Sequence, residues 1–276
     1  MDGAAAAGRL PSTTPMRHKT PVVMIHGAFC GGWAFEKFRR PFEQRGFDVL
    51  TPTLRHHGDA GAAAVGSTGL ADYASDLEEM LSGLDEPPIL VGHSLGGLLA
   101  QMIAARRPVR AMVLVAPCAP WGVMPTTLFE LASAQALFLA GDYWNMALKP
   151  DYGIAAAHAL DRVSHAERQI VFDRFVPESG LATFEILHWA LDFRRSSYVR
   201  ARNVTCPILC FAGSEDRINP SSTVRRIAER YEGRAVFEEL VGHSHWPIGE
   251  PGWELVASRA LRWLGQVLEE PRVLRV

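Results

Sequence analysis

The chain has 276 residues, of which 48% are hydrophobic and 21% charged, and its formal net charge is −2. This composition is typical of a globular protein that is long enough for one large domain or for a core with an insertion. The sequence holds no basic stripe and no acidic block, which argues against nucleic acid or an anionic membrane surface as a partner. No apolar run approaches the ~20 residues that cross a bilayer, so we expect no membrane span.

The start of the chain and its cysteines bear on where the protein works. Residues 1–20 are small and polar, without the basic leader and apolar stretch of a signal peptide, and they predict a flexible tail. The four cysteines form no C-x-x-C pair and no evident disulfide framework. We therefore expect reduced, partly buried thiols and a cytoplasmic location. Cys30 lies in a glycine-containing loop near the predicted site, although an inert buried thiol is its simpler interpretation.

Strand and helix patterns alternate along the chain. Most of the predicted strands are apolar throughout, as in parallel strands that are covered on both faces. They are residues 22–25, 49–51, 89–91, 112–115, 208–211 and 236–240. Helical patterns lie at residues 33–45, 70–84, 95–107, 221–231 and 253–268. The fourth of these helices is predicted to take Asn219 as its N-cap and Pro220 as its first residue. This alternation predicts an α/β protein with a parallel, doubly wound sheet.

One interval breaks the alternation. Residues 118–203 contain helical patterns at 126–140, 165–175 and 181–193 but no convincing strand. A plain crossover needs only about a dozen residues or somewhat more, so we interpret the interval as an inserted helical cap on a core of residues 21–117 and 204–276. Because the cap follows the strand that ends at Ala116, we expect it to cover the carboxyl edge of the sheet. Most of its apolar side chains should pack internally, and the rest should line an acyl or aromatic pocket.

The stretch around Ser94 carries the clearest chemical signal. A predicted buried strand runs into Gly92-His93-Ser94-Leu95-Gly96-Gly97, and a helical pattern follows at once. In such a sharp strand-to-helix turn the serine hydroxyl is exposed above the sheet, and glycines on either side allow strand and helix to approach closely. Ser94 is therefore the candidate nucleophile, and its alternative role is that of a helix N-cap. The similar triplet at residues 242–244 lacks the following glycines, so we do not expect it to form such a turn.

A serine nucleophile needs an imidazole to accept its proton and a carboxylate to orient that imidazole. Of the ten histidines, His243 and His245 follow the last predicted strand, and His245 is preferred because Trp246-Pro247 and the next helix would fix its loop. The loop after the 208–211 strand offers Asp216 or Glu215, and Asp216 is preferred as a habitual turn residue. The chain order Ser, Asp, His is the order of an α/β-hydrolase triad.

A tetrahedral oxyanion also needs two hydrogen-bond donors, usually backbone N–H groups. Leu95, directly after the candidate nucleophile, should supply one. The loop after the first strand, residues 26–33, should supply the other, with Ala28 as first choice and Phe29 as second. A phosphate cradle is the alternative for this glycine-containing loop, but the sequence has neither G-x-G-x-x-G nor a P-loop lysine there.

Taken together, the motifs at residues 26–33, 92–97, 213–216 with Pro220, and 242–247 resemble the α/β-hydrolase superfamily, over residues 21 to about 268. The resemblance implies an α/β-hydrolase fold with about six mostly parallel strands flanked by helices. The first two motifs look like the branch of plant methyl esterases and hydroxynitrile lyases, in which the residue after His-Gly supplies an oxyanion N–H, and this implies Ala28. The lyases place a lysine directly after the catalytic histidine, where this chain has Trp246, which argues against cyanohydrin cleavage.

The residues and the resemblance predict a serine hydrolase that cleaves a carboxylic ester of a small apolar or aromatic molecule through an acyl-enzyme. We expect this chemistry to need no metal and no organic cofactor. The same triad serves lactones, thioesters, amides and carbon–carbon bonds, so these substrates remain alternatives. A ligand-sensing receptor with a hydrolase fold is an alternative of another class, since some plant hormone receptors of this superfamily retain such a triad.

Overall fold

The computed structural model describes residues 20–58 and 64–269. The predicted tail therefore lies, apart from Thr20, outside the described residues. The strands are β1 Pro21–Ile25, β2 Asp48–Leu50, β3 Ile89–His93, β4 Ala111–Val115, β5 Ala147–Leu148, β6 Glu178–Ser179, β7 Ile208–Gly213 and β8 Ala235–Leu240. The helices are α1 Arg40–Gln44, α2 Leu70–Ser82, α3 Leu95–Ala104, α4 Leu128–Leu139, α5 Tyr152–Ile154, α6 His165–Phe172, α7 Gly180–Leu187, α8 Ser221–Glu229 and α9 Trp253–Glu269.

The main sheet has six strands in the order β2-β1-β3-β4-β7-β8, and every pair in it is parallel. From β1 the chain passes to β2 on one side, and β3 then returns to the other side of β1. The order of the strands thus reverses between β1 and β3. In open parallel sheets ligands bind at the carboxyl ends of the strands at such a reversal, because the loops diverge there and leave a crevice.

The core consists of two apolar layers, one on each face of the main sheet. Alternate residues of a strand point to opposite faces, so Val23 and Ile25 pack in one layer and Val22 and Met24 in the other. The first layer is completed by apolar residues of α2, α3 and α8, and the second by Phe35, α1 and α9. Because both faces are covered, β1, β3, β4 and β7 are buried along their whole length, which explains their uninterrupted apolar sequences.

The helix predicted at residues 33–45 and the predicted N-cap of the fourth helix differ from the structure. The predicted helix at 33–45 is instead a 3-10 turn at Gly32–Phe35 followed by the short helix α1. Pro41 has no backbone N–H and cannot lie inside a longer helix, whereas it fits the first turn of α1. Helix α8 begins at Ser221, where its pattern begins, but its N-cap residue is Pro220 and not Asn219. The Asn219 side chain donates a hydrogen bond to the Ala116 carbonyl instead of capping the helix.

We call residues 118–203 the cap segment. It contains α4 to α7, as the helical patterns indicated, but the prediction that it lacks strands was wrong. Strands β5 and β6 pair antiparallel within it. Each has only two residues, which is too short to produce a readable alternation of apolar and polar residues. The division of the chain into a core and a separate cap unit stays a prediction.

Candidate active site

The turn between β3 and α3 places Ser94 at a strained position. Its backbone has φ 51° and ψ −118°, a region that residues with a Cβ rarely occupy, and its N–H donates a hydrogen bond to the Val115 carbonyl at 3.1 Å. The turn also requires glycine at both flanks. A Cβ on Gly92 would lie 2.4 Å from the Gly96 carbonyl oxygen, and one on Gly96 would lie 2.0 Å from that of Ile25. The tight approach of β1, β3 and α3 therefore holds the serine in place.

Three loops bring Ser94, His245 and Asp216 together. The Nε2 atom of His245 lies 3.1 Å from Ser94 Oγ, and its Nδ1 atom lies 2.8 Å from Asp216 Oδ2. The other carboxylate oxygen of Asp216 accepts hydrogen bonds from the N–H groups of Ile218 at 2.8 Å and Asn219 at 2.9 Å. The side chain of Asp216 is thus fixed by its own loop. Because the Asp216 carboxylate accepts hydrogen bonds, His245 carries its proton on Nδ1. Its Nε2 atom is then free to accept the serine proton.

His243 and Glu215, the alternative base and carboxylate, do not take part in these hydrogen bonds. His243 Nδ1 contacts Glu250 Oε1 at 2.8 Å, so its imidazole belongs to a different carboxylate. Glu215 is exposed and forms a surface ion pair with Arg162 of the cap segment. The structure therefore brings Ser94 together with His245 and Asp216, and it does not bring Ser94 together with His243 or Glu215.

His93, beside the nucleophile, supports the backbone of His245. Its Nε2 atom lies 2.8 Å from the His245 carbonyl oxygen, which can only accept, so His93 donates from Nε2. Burial, with a smaller effect of the His245 charge, lowers the pKa of His93 to about 3. His93 is therefore neutral, and it ties the loop that carries His245 to the nucleophile turn.

The predicted oxyanion donors lie on either side of the nucleophile. Leu95 begins α3 directly after it, and a Cβ on Gly27 would lie only 3.1 Å from the Ser94 Cβ, which places the Ala28 backbone close by. Within residues 20–58 and 64–269, neither the Ala28 N–H nor the Leu95 N–H has a hydrogen-bond acceptor. The N–H of Phe29, the second choice, instead donates to Glu178 Oε2 at 3.3 Å.

His26 fixes the direction of the Ala28 N–H, the first of the two predicted donors. The Leu54 N–H donates to His26 Nε2 at 3.0 Å, so the ring proton is on Nδ1, which donates to the Gly27 carbonyl at 2.8 Å. Burial, with a smaller effect of the His57 charge, lowers the pKa of His26 to about 4 and keeps the ring neutral. In a trans peptide the N–H points opposite to the C=O, so the bond to Gly27 also orients the N–H of Ala28.

The family model described as "Alpha/beta hydrolase family" matches residues 22–259. The chain belongs to the α/β-hydrolase family. It is 26% identical over 268 residues to a monoacylglycerol lipase of Mycolicibacterium smegmatis, which covers 92% of this chain and 90% of that protein. It is 34% identical over 95 residues to methylesterase 9 of Arabidopsis thaliana, over 34% of this chain and 37% of that protein. Tomato methylketone synthase I in complex with 2-tridecanone has a similar fold, with a TM-score of 0.69 at 17% identity over 90% of this chain and 99% of that one.

These findings confirm the predicted fold class and the resemblance to the methylesterase branch. The six-stranded parallel sheet of this α/β-hydrolase agrees with the predicted number of strands.

Two further properties concern metal ions and membranes. Among the described residues, no group of three or more His, Cys, Asp or Glu side chains is placed to hold a metal ion. No helix of that same part of the chain is long and apolar enough to span a membrane.

A buried polar cluster that the sequence did not reveal lies beside residues 26–33, the loop of the predicted oxyanion donors Ala28 and Phe29. Glu178 of the cap segment is 1% exposed, and it accepts hydrogen bonds from His57 Nε2 at 3.0 Å and from the Tyr73 hydroxyl at 2.8 Å. Burial raises the pKa of Glu178, but the hydrogen bond and charge of His57 outweigh it, so the net pKa is below its ordinary value. Burial likewise lowers the pKa of His57, but Glu178 outweighs it and the net pKa is raised. His57 Nδ1 also lies 3.0 Å from the Arg55 carbonyl oxygen, so both ring nitrogens face acceptors, as expected for an imidazolium paired with the buried Glu178 carboxylate.

Cys118 is the second unexpected neighbour of the site. Its Sγ atom lies 3.6 Å from Ser94 Oγ and 3.6 Å from Asn219 Nδ2. Burial raises the pKa of its thiol despite these contacts. Burial also raises the pKa of Cys30. Both residues are therefore protonated thiols at neutral pH, and in such surroundings a thiol is a poor nucleophile.

Proposed function

We propose that this α/β-hydrolase is a serine hydrolase that cleaves a carboxylic ester of a small apolar or aromatic molecule through an acyl-enzyme. The observation that carries the proposal is the continuous chain of hydrogen bonds from Ser94 Oγ through His245 to Asp216, with distances of 3.1 Å and 2.8 Å. A serine hydroxyl needs such a base to become a nucleophile at neutral pH. The relationship to a monoacylglycerol lipase along most of the chain supports ester hydrolysis.

In the proposed reaction Ser94 Oγ attacks the ester carbonyl while His245 Nε2 takes the hydroxyl proton. The carboxylate of Asp216 stabilises the imidazolium that forms. The N–H groups of Ala28 and Leu95 hold the oxyanion, which is the position where charge develops in the transition state. His245 then protonates the leaving alcohol, and a water molecule that His245 activates hydrolyses the acyl-enzyme. Every proton step uses a side chain of this chain, so the scheme needs no metal and no organic cofactor.

The surroundings of the triad support an apolar or aromatic substrate. Ser94, His245 and Asp216 are only 6%, 5% and 4% exposed, so a substrate must leave water to reach them. Trp246 follows His245 directly, and its ring centroid lies 6.3 Å from that of Trp33 and 6.1 Å from that of Phe175 of the cap segment. An apolar molecule loses little by entering such a site, whereas a strongly hydrated one pays for desolvation. Trp246 also occupies the position at which hydroxynitrile lyases have lysine, so cyanohydrin cleavage is not proposed.

The test is hydrolysis of a substrate panel by the full chain and by two serine variants. The panel contains p-nitrophenyl butyrate, an aryl methyl ester, a monoacylglycerol, a lactone, a thioester and an anilide. Ser94→Ala is expected to lower kcat for the preferred ester roughly 10⁴-fold or more, by analogy with other serine triads. The matched control is Ser244→Ala, which removes the buried hydroxyl of the second Gly-His-Ser triplet and should leave kcat unchanged.

The panel also separates the alternatives. Preference for the lactone, thioester or anilide would keep the triad and replace the ester. A single slow turnover, accompanied by a change in the cap segment on ligand binding, would favour a ligand-sensing receptor. Ester hydrolysis that persists in Ser94→Ala at the wild-type rate would contradict the proposal.

A further inference from the structure

Phe29 has an unusual backbone for a bulky residue. It is half-buried in the loop that follows β1, and its φ is 63°, in the left-handed region that side chains with a Cβ seldom adopt. Such a conformation persists only where its surroundings hold it. Phe29 directly follows Ala28, the proposed oxyanion donor, so whatever fixes Phe29 also fixes the end of the donor segment.

The cap segment contacts Phe29 on both of its peptide groups. The Val176 N–H donates to the Phe29 carbonyl at 2.9 Å, and the Phe29 N–H donates to Glu178 Oε2 at 3.3 Å. The first bond fixes the peptide after Phe29, and the second fixes the peptide between Ala28 and Phe29. The peptide before that one, between Gly27 and Ala28, is oriented by His26. Three successive peptide planes of the loop are therefore held, two of them by the cap segment.

The Glu178 carboxylate is itself held by two side chains of the core and by the backbone of its own neighbour. Besides Phe29 it accepts from His57 Nε2 at 3.0 Å, the Tyr73 hydroxyl at 2.8 Å and the Ser179 N–H at 2.7 Å. Four donors thus converge on two oxygens, and only an ionised carboxylate can accept from all of them. An amide at this position would turn an NH₂ group toward donors on one side. Glu178 is consequently a rigid, charge-specific link between the cap segment and the oxyanion loop.

We propose that Val176 and Glu178 are positioning residues for the ester hydrolysis proposed above: they hold Phe29 in its left-handed conformation and so present the Ala28 N–H to the oxyanion. Because Glu178 accepts from the Phe29 N–H, the Ala28 N–H is the one of these two neighbouring groups that remains available to the oxyanion. The proposal rests on the proposed function, and it makes the oxyanion site complete only while the cap segment is docked on the core. Chemistry is thereby tied to the closed arrangement of the molecule.

The first test compares Glu178→Gln with Glu185→Gln in the full chain. Glu185 is the matched control because it is also a buried glutamate of the cap segment that accepts from a core backbone N–H, that of Leu70 at 2.7 Å, but it does not contact the oxyanion loop. Loss of one oxyanion donor lowers kcat by ~10²–10³-fold. We expect Glu178→Gln to lower kcat toward p-nitrophenyl butyrate at least ~10-fold and up to that range, with KM within about threefold. Glu185→Gln should change kcat less than about threefold.

The second variant, Val176→Pro, keeps the test decisive if Glu178→Gln fails to fold. It removes the N–H that binds the Phe29 carbonyl. The site should accept proline because Val176 already precedes Pro177, which favours the extended backbone that a proline can also adopt. We expect kcat to fall again while KM stays nearly constant. Affinity for a trifluoromethyl ketone, which forms a tetrahedral oxyanion, should fall in proportion to kcat/KM. A loss of stability alone would instead reduce the active fraction and leave that affinity unchanged.

A crystal structure of Val176→Pro separates this proposal from the proposed function. Phe29 relaxed out of the left-handed region supports the positioning role, and Phe29 unchanged at φ near its present value overturns it, whether or not the wild type hydrolyses esters. Wild-type kcat in both folded variants, with Ser94-dependent hydrolysis intact, overturns it as well. A wild-type protein without any Ser94-dependent hydrolysis would contradict the proposed function, and the structure would still decide the role of Val176 and Glu178 in holding the loop.

Discussion

Replacement of Asp216 by asparagine tests the proposed relay through the tautomer of His245. One oxygen of Asp216 accepts two backbone N–H groups, from Ile218 at 2.8 Å and Asn219 at 2.9 Å. The asparagine oxygen should stay there, because turning the NH₂ group toward these donors would leave them unsatisfied, at about 2 kcal/mol or roughly 30-fold in population. The NH₂ group then faces His245 Nδ1, which must become an acceptor. The ring proton moves to Nε2, where it blocks acceptance of the Ser94 proton.

The expected loss in Asp216→Asn is ~10⁴-fold in kcat, the effect of the wrong tautomer in a serine triad, which corresponds to ~5.4 kcal/mol of transition-state stabilisation. The assay is steady-state hydrolysis of p-nitrophenyl butyrate, with thermal unfolding measured in parallel to show that the variant is folded. Glu215→Gln is the matched control. It changes the neighbouring carboxylate, whose exposed pair with Arg162 contributes little, and kcat should stay within about twofold. An Asp216→Asn kcat within about tenfold of the wild type would refute the tautomer argument.

Three further predictions address the turn, the buried ion pair and the thiol. Gly96→Ala should lower the free energy of unfolding, measured in urea, by ~3 kcal/mol or prevent folding, because its Cβ would lie 2.0 Å from a carbonyl oxygen. Gly265→Ala in α9, where a Cβ meets open space, should raise the free energy of unfolding by ~0.5–1 kcal/mol. The pKa of Glu178 is lowered from 4.5 and that of His57 is raised from 6.5, so their stabilisation is complete between pH 4.5 and 6.5 and is lost as pH falls through the first pKa or rises through the second. Urea unfolding across pH should therefore show the largest deficit of Glu178→Gln within that window, and a deficit that grows outside it would contradict the pairing. Iodoacetamide at pH 7 should leave ester hydrolysis intact, since the pKa of Cys118 is raised, and rapid inactivation with alkylation mapped to Cys118 would show a thiolate there.

The features that the sequence predicted are those with a local physical cause. The strands β1, β3, β4 and β7 are covered on both faces and therefore appear as continuous apolar runs. The turn at Ser94 can be recognised in the sequence because it requires glycine two residues before and two residues after the serine. His245 and Asp216 could be selected because the carboxyl ends of parallel strands share one edge of the sheet.

What the sequence did not predict depends on contacts between distant segments. Glu178 lies 121 positions from His57 and 149 from Phe29 along the chain. The neighbouring sequence does not distinguish a buried glutamate from an exposed one. The sequence also did not show that the Phe29 N–H donates to Glu178, the contact on which the proposed preference for Ala28 over Phe29 as oxyanion donor rests. The short strands β5 and β6 had no pattern long enough to read.

The most direct test of a nucleophilic serine at this turn is to treat the folded protein with a fluorophosphonate and locate the adduct by peptide mass spectrometry. We expect one adduct, on Ser94, with loss of ester hydrolysis in proportion to labelling, and no adduct in His245→Ala. Labelling elsewhere with Ser94 unmodified, or full hydrolysis by protein whose Ser94 is completely labelled, would contradict it.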